Sequence, residues 1–178
     1  MAKRRTAEAG VTFLELVVVI ALIAVIAAIA IPSFLSTQRK TTASSEVNQF
    51  FTEMRVRQEE WVNENGSYLQ TGTTEADVYP APANTGTDLD PSTMPATWKQ
   101  LKFRLPTADS VKCGYVTIAG TATTGSVGPQ ATAMGFVKPA KNWYYVLARC
   151  NMEGNAAVDS YYLTSSESSQ IKLSNPGR

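Results

Sequence analysis

Histidine is absent from this chain of 178 residues. That gap removes histidine-centred acid–base catalysis, the Ser-His-Asp triad and every zinc site that uses an imidazole. Cysteine is scarce. Cys113 and Cys150 are the only two, too few for an all-cysteine zinc site. In an exported domain they would most simply form one disulfide, with two reduced, buried thiols as the alternative. An excess of either charge is also lacking, with 16 basic against 15 acidic residues. No nucleic-acid footprint follows, and no specific nucleic-acid partner is expected. Enzymatic signatures are incomplete. "GTATTGS" (residues 120–126) has two glycines at P-loop spacing but lacks the lysine that must reach the phosphates. Ser169-Gln170-Ile171-Lys172 matches S-x-x-K without the accompanying S-D-N and K-T-G elements. No catalytic constellation and no cofactor site emerges, so the expectation is a non-enzyme.

What is present is a long apolar block, "GVTFLELVVVIALIAVIAAIAIPSF" (residues 10–34), with Glu15 as its one charged side chain and Pro32 near its exit. Lys3, Arg4 and Arg5 precede it, against Glu8. A secretory signal would use these cations as its n-region and Ala28-Ile29-Ala30 as its cleavage site. A plain anchor would use residues 11–34, about 36 Å as helix at 1.5 Å per residue, enough to cross a bilayer with the cations on the cytoplasmic side. Neither has a use for Glu15, because a charged side chain at the bilayer centre costs roughly 2.5–3.5 kcal/mol on insertion scales.

The combination "AG" then "VTFLEL", a long apolar helix and "AIAIPSF" resembles the type IV prepilin N-terminal segment. Two positions depart from the family's commonest residues: Val11, where an aromatic is usual, and Leu14, where isoleucine is usual. The resemblance implies a dedicated peptidase cutting between Gly10 and Val11, a Val11 that is then N-methylated, and an apolar helix kept in the mature protein. Glu15 would lie one turn from that new, positively charged terminus. It would pair with its own amine or a neighbouring subunit's, fixing register in a low-dielectric bundle because a slipped neighbour leaves both charges unpaired. Pro32 matches the family's helix-kinking proline and should bend or open the helix.

Beyond Phe34, apolar residues recur at helical spacing: Val47, Phe50, Phe51, Met54, Trp61 and Val62, with Gln58 on the same stripe and Arg55, Glu59 and Glu60 mostly on other faces. Gly66 is placed to cap this helix, a reading preferred over a glycosylation sequon at Asn65-Gly66-Ser67. One helix is therefore expected from near Val11 to about Asn65. Residues 71–97, rich in Pro, Gly, Thr and Asp, read as an extended surface loop. Strands are expected at 99–105, 111–119, 133–138, 143–150 and 160–163. Together they predict an α+β fold, with the second half of a long N-terminal helix packed on a small antiparallel sheet. The pilin resemblance implies the same fold. The organisation expected is a leader (1–10), a membrane or filament-core helix (11–34), an amphipathic continuation (35–66), a surface loop region (67–98) and a β-sheet head (99–178).

Asn151, Glu153, Asn155 and Asp159 put oxygens around a glycine, faintly like a calcium loop, and an Asn/Gly hairpin turn accounts for them equally. The resemblance implies a structural subunit, major or minor, of a type IV pilus filament for adhesion, motility or DNA uptake. It implies self-assembly into a helical fibre, with lipid around the helix beforehand. An assembly ATPase, an inner-membrane platform protein and the prepilin peptidase are the implied partners. The location implied is a single pass of the bacterial inner membrane with the head outside the cytoplasm, then an extracellular or periplasmic filament. A type II secretion pseudopilin shares the whole N-terminal device. A reading from another class, a membrane-anchored or secreted periplasmic binding domain, predicts a mature terminus at Ile31 or an uncut Met1.

Overall fold

The structure is a computed structural model and describes residues 12–83, 85–90, 92–103, 110–152 and 159–175, excepting the side chains at 32 and 36. Its elements in chain order are α1 (Phe13–Asn65), β1 (Thr87–Asp88), α2 (Ala96–Gln100), β2 (Ser110–Val111), β3 (Cys113–Gly120), α3 (Pro129–Ala133), β4 (Trp143–Cys150), β5 (Ser160–Ser165) and β6 (Ser168–Ser174). The class is α+β, with a long N-terminal helix and antiparallel sheets. The chain divides into two compact units, residues 1–38 and 39–178.

In the first unit the described chain is the opening stretch of α1, made mostly of Leu, Ile, Val and Ala. Its β-branched side chains are mediocre helix formers in water. In an apolar medium, however, the backbone must satisfy its own hydrogen bonds, and a helix does so within one segment. Every large apolar side chain from Phe13 to Leu35 is exposed, from 82% at Phe13 down to 41% at Val17. Among the described residues this is the one helix long and apolar enough to cross a membrane. α1 is helical through Pro32, where a bend or local opening is expected. A proline lacks one N–H, and a single lost rung leaves the rest of the ladder in place.

In the second unit, α1 supplies a buried stripe of Ala43, Val47, Phe50, Phe51, Met54 and Gln58. The Gln58 amide is satisfied on both sides by the backbone of Leu69, donating to its carbonyl (2.7 Å) and accepting from its N–H (2.9 Å). Gly66 ends the helix with φ +75° and its N–H on the Val62 carbonyl at 2.8 Å, the left-handed cap for which glycine is favoured.

The sheet is an antiparallel meander in the order β3-β4-β5-β6. β4, "WYYVLARC", is central and buried on both faces. Tyr144, Val146, Ala148 and Cys150 join the α1 stripe, while Trp143, Tyr145 and Leu147 meet Val116, Ile118, Ala131 and Phe136 on the far side. This period of two assigns alternate side chains to two cores. Phe50 stacks on Tyr115 with ring centroids 3.4 Å apart and fixes the helix over β3. Cys113 and Cys150 are Cα partners in the β3–β4 register, 4.2 Å apart, with their sulfurs bonded. That spacing is typical of a non-hydrogen-bonded cross-strand pair.

Three expectations need correction. Residues 99–105 do not form a strand over their described part: Lys99 and Gln100 belong to α2, and a turn follows. Leu101 and Phe103 alternate with polar residues as in a strand, but Pro95 sets up a helical start, and Trp98 and Leu101 bury at helical spacing. Residues 133–138 are not a strand either. Ala133 closes α3, which has Pro129 in its first turn, and Gly135 takes φ +75° just after it. Finally, residues 71–97 are more than a surface loop. They contain β1, paired with β2, and a strap along the free edge of β3. The Tyr79 and Tyr115 backbones exchange two 2.9 Å hydrogen bonds, and the Thr71 N–H donates to the Thr117 carbonyl. Such a strap protects a sheet edge from stray pairing. A β-carbon at Gly114 would sit 2.3 Å from the Pro80 carbonyl oxygen, so glycine lets the strap come this close.

Candidate assembly segment

Glu15 is the one carboxylate in the apolar stretch, and α1 begins two residues before it. Its Oε2 accepts from the Thr12 backbone N–H (2.8 Å) and hydroxyl (3.0 Å), while the Glu15 N–H donates to Thr12 Oγ1 (3.2 Å). This is a capping box. Thr-x-x-Glu at the head of a helix satisfies two backbone donors that have no partner inside the helix. Thr12-Phe13-Leu14-Glu15 carries that signal openly in the sequence. The cap also changes the inference: Glu15 has a local use in any helix that starts here, so the carboxylate alone does not single out an assembling one. Its other oxygen, Oε1, has no hydrogen bond among the described residues, leaving an acceptor for a cation. Gly10 and Val11, the expected cleavage pair, lie outside the described residues.

The surroundings of Glu15 say more than the group itself. A helix that is apolar on all sides belongs in a core or a membrane. None of the most apolar 18-residue window of α1 is buried within this chain.

In the second unit, two helix- and loop-borne carboxylates anchor the fold. Glu46 on α1 accepts from the N–H groups of Lys112 (3.0 Å) and Cys113 (2.9 Å) and from the Tyr115 hydroxyl (2.9 Å). Glu75 on the strap caps α3 through the N–H groups of Gln130 (2.8 Å) and Ala131 (2.9 Å), and takes the Tyr145 hydroxyl at 3.1 Å. Neither role has a local signature, because the partners lie 55 to 70 residues away. Burial, reinforced by Glu46, holds the Tyr115 phenol far above its usual value. Burial likewise raises Tyr145, against the Gly128 N–H that donates to its oxygen.

Of the calcium candidates, Glu153 and Asn155 lie outside the described residues. Asp159 is buried and takes the Arg149 Nε on its Oδ2, so a guanidinium already offsets its charge. Among the described residues no group of three or more acidic or thiol side chains is set to hold a metal ion. Ser169 and Lys172, three apart on β6, project to opposite faces of the strand. Lys172 Nζ donates to the Gly135 carbonyl at 2.9 Å. Residues 121–125 form a turn tied by threonine hydroxyls, with Thr121 and Thr124 Oγ1 atoms 2.8 Å apart.

Compared with known proteins, the chain matches no family model, no curated protein and no solved structure.

Proposed function

We propose that the chain is a structural subunit of a filament of the type IV pilus class, held first in the inner membrane by the apolar part of α1 and then packed through it into a fibre core. The observation that carries this reading is the first unit, whose described residues form a helix with exposed large apolar side chains from Phe13 to Leu35. In a bilayer, lipid solvates it. In a fibre, copies of the same helix replace lipid, and one patch meeting a different patch under a screw operation gives an open helical array. Cleavage after Gly10 would expose the Val11 amine next to the capping box, where Glu15 Oε1 remains open to a neighbouring subunit's cation. Assembly would then require an ATPase, a platform protein and a peptidase from elsewhere, since the chain offers no phosphate-binding loop with its lysine. The pilin fold is the finer form of the α+β architecture that this reading adopts.

The capping box makes a sharp test available. Glutamine at this helix position still caps, so Glu15→Gln keeps the local hydrogen bonds and removes only the charge. The expected outcome is an inserted, folded protein whose sheared-filament yield falls at least tenfold, with mass spectrometry showing a mature terminus at Val11 in both forms. Normal fibres from Glu15→Gln would reduce Glu15 to a helix cap. A mature terminus at Ile31 or Met1 would instead favour the anchored or secreted binding domain.

A further inference from the structure

The head part of α1 lies over β3 and β4, and the flank of β5 and β6 beside it is open. There a groove of about 590 Å³ runs between helix and sheet. Val47 and Phe51 of α1 and Ile171 and Leu173 of β6 form its apolar walls. Ser44 and Arg55 mark its two ends. They are eleven residues apart on one helix, about 16 Å at 1.5 Å per residue.

Two features define the occupant. The first is charge. Arg55 has no carboxylate partner among the described residues, and its Nη1 is buried with no hydrogen bond. The contrast with Arg57, held by Glu53 and Glu60, is direct. Glu59, one turn on from Arg55, is instead engaged by the Tyr68 hydroxyl. The second feature is the polar rim. Thr52 Oγ1 donates to the Asn48 carbonyl, Asn48 Nδ2 to the Ser44 carbonyl, and Thr164 Oγ1 to the Ser168 carbonyl. The Thr52, Asn48 and Thr164 side-chain oxygens offer acceptors along the groove. Acceptors suit the N–H groups of an extended backbone and do nothing for an acyl chain. At the Ser44 end the buried Tyr162 hydroxyl faces the Ser44 side chain, and both line the groove.

We propose that this groove binds an extended peptide segment of a partner protein, about five residues long at 3.3 Å per residue, with apolar side chains along it and a carboxylate at the Arg55 end. A segment laid beside a helix against a sheet is a common mode of peptide recognition. The carboxylate is assigned to another protein, and those on this chain's described loops have partners of their own. Glu75 caps α3, Asp77 is held by Thr73 and Thr74, Asp90 by Ser92, Asp159 by Arg149 and Glu167 by Lys141. The site lies wholly in the second unit and stands whether or not the chain polymerises.

The test uses the full chain in phosphatidylcholine nanodiscs and fluorescence anisotropy with two labelled pentapeptides, Val-Thr-Val-Leu-Glu and its Gln-ended, C-amidated counterpart. Saturable binding of the acidic peptide is expected, at least tenfold tighter than the neutral one, as a charge-assisted pair requires. Arg55→Gln should erase that tenfold preference. Leu173→Arg, at an exposed wall position, should block both peptides with the melting temperature unchanged. Equal affinity for the two peptides overturns the proposal, as does absence of saturable binding. So does displacement by dodecanoate but not by unlabelled peptide, or a concentration-dependent dimer that excludes the peptide and so marks a second copy as the occupant.

Discussion

Phe34 and Phe50 are the same residue on the same helix, and their surroundings are opposite. Phe34 is 69% exposed within the chain, whereas Phe50 is wholly buried against Tyr115, Trp98 and Phe103. The pattern around each explains why. From Phe13 to Leu35 apolar residues cover every face, so no single intrachain surface could take them all. From Ala43 to Gln58 they keep to one stripe, and one sheet face satisfies them. One stretch of α1 is buried against the sheet of its own unit, and the large apolar side chains of the other are exposed.

The largest effect that tests this contrast comes from truncating each phenylalanine. Phe50→Ala should cost the head about 3–5 kcal/mol, the usual range for emptying an aromatic core site. Phe34→Ala should leave the melting of the head unchanged and act only on membrane extraction or fibre yield. A loss above about 1 kcal/mol in the Phe34→Ala melt, more than surface changes normally give, would break the division. Next in size is the Cys113–Cys150 bond, whose ends are 37 residues apart. Replacing both with serine should remove about 3–4 kcal/mol on the chain-entropy model, read as a lower midpoint in urea, and a reductant should reproduce it in the wild type.

Alkaline unfolding separates the units in another way, because residues 1–38 contain no tyrosine. Tyr115, Tyr144 and Tyr145 are fully buried, and burial raises all three phenols. Below the unfolded value of about 10 they are neutral in both states, so their stabilising contribution is intact there. Above it the unfolded chain releases protons that the folded one retains, and stability falls as pH climbs towards the folded values. Each tyrosine contributes a slope of up to about 1.4 kcal/mol per pH unit. Near-ultraviolet circular dichroism should therefore collapse above pH 10 while the far-ultraviolet helix signal is only partly lost. Simultaneous loss of both signals would mean that the first stretch of α1 depends on the head.

The parts of this architecture that were legible in advance are those written in short-range patterns. The stripe at 47, 50, 51 and 54 marked a helix face, "WYYVLARC" marked a central strand, and Asn65-Gly66 marked a helix end. What escaped was decided at long range or by one turn of chain. The Lys99–Phe103 alternation reads as a strand until Pro95 and the burial of Trp98 make the preceding turn helical. β6, "SSQIKLS", has no fully buried residue and carries too little apolar signal to stand out, yet it completes the sheet by pairing with β5. Glu46 and Glu75 look like ordinary surface acids until the fold brings backbone donors to them. In the candidate site, Glu15 was visible and its neighbour Thr12 was equally readable. Periodicity places Arg55 off the apolar stripe and does not show that a groove opens beside it.

The smallest effect concerns the end of α1, and it isolates backbone from packing. Gly66 holds φ +75°, and a β-carbon added there would meet nothing within 4 Å. Gly66→Ala is therefore free of steric clash, and its cost is the left-handed conformation itself, about 1–2 kcal/mol for a residue with a side chain. Gly114→Ala has the opposite character, because its β-carbon would collide with the Pro80 carbonyl of the strap. The two variants compared by thermal melting should differ in kind. Gly66→Ala should lower the midpoint slightly with the strap's amide protons still protected from exchange. Gly114→Ala should release the Tyr79 and Tyr115 amides, which now pair across that edge. If Gly66→Ala also exposed them, the helix end and the strap would be one cooperative element, and the edge of β3 would owe its cover to the cap of α1.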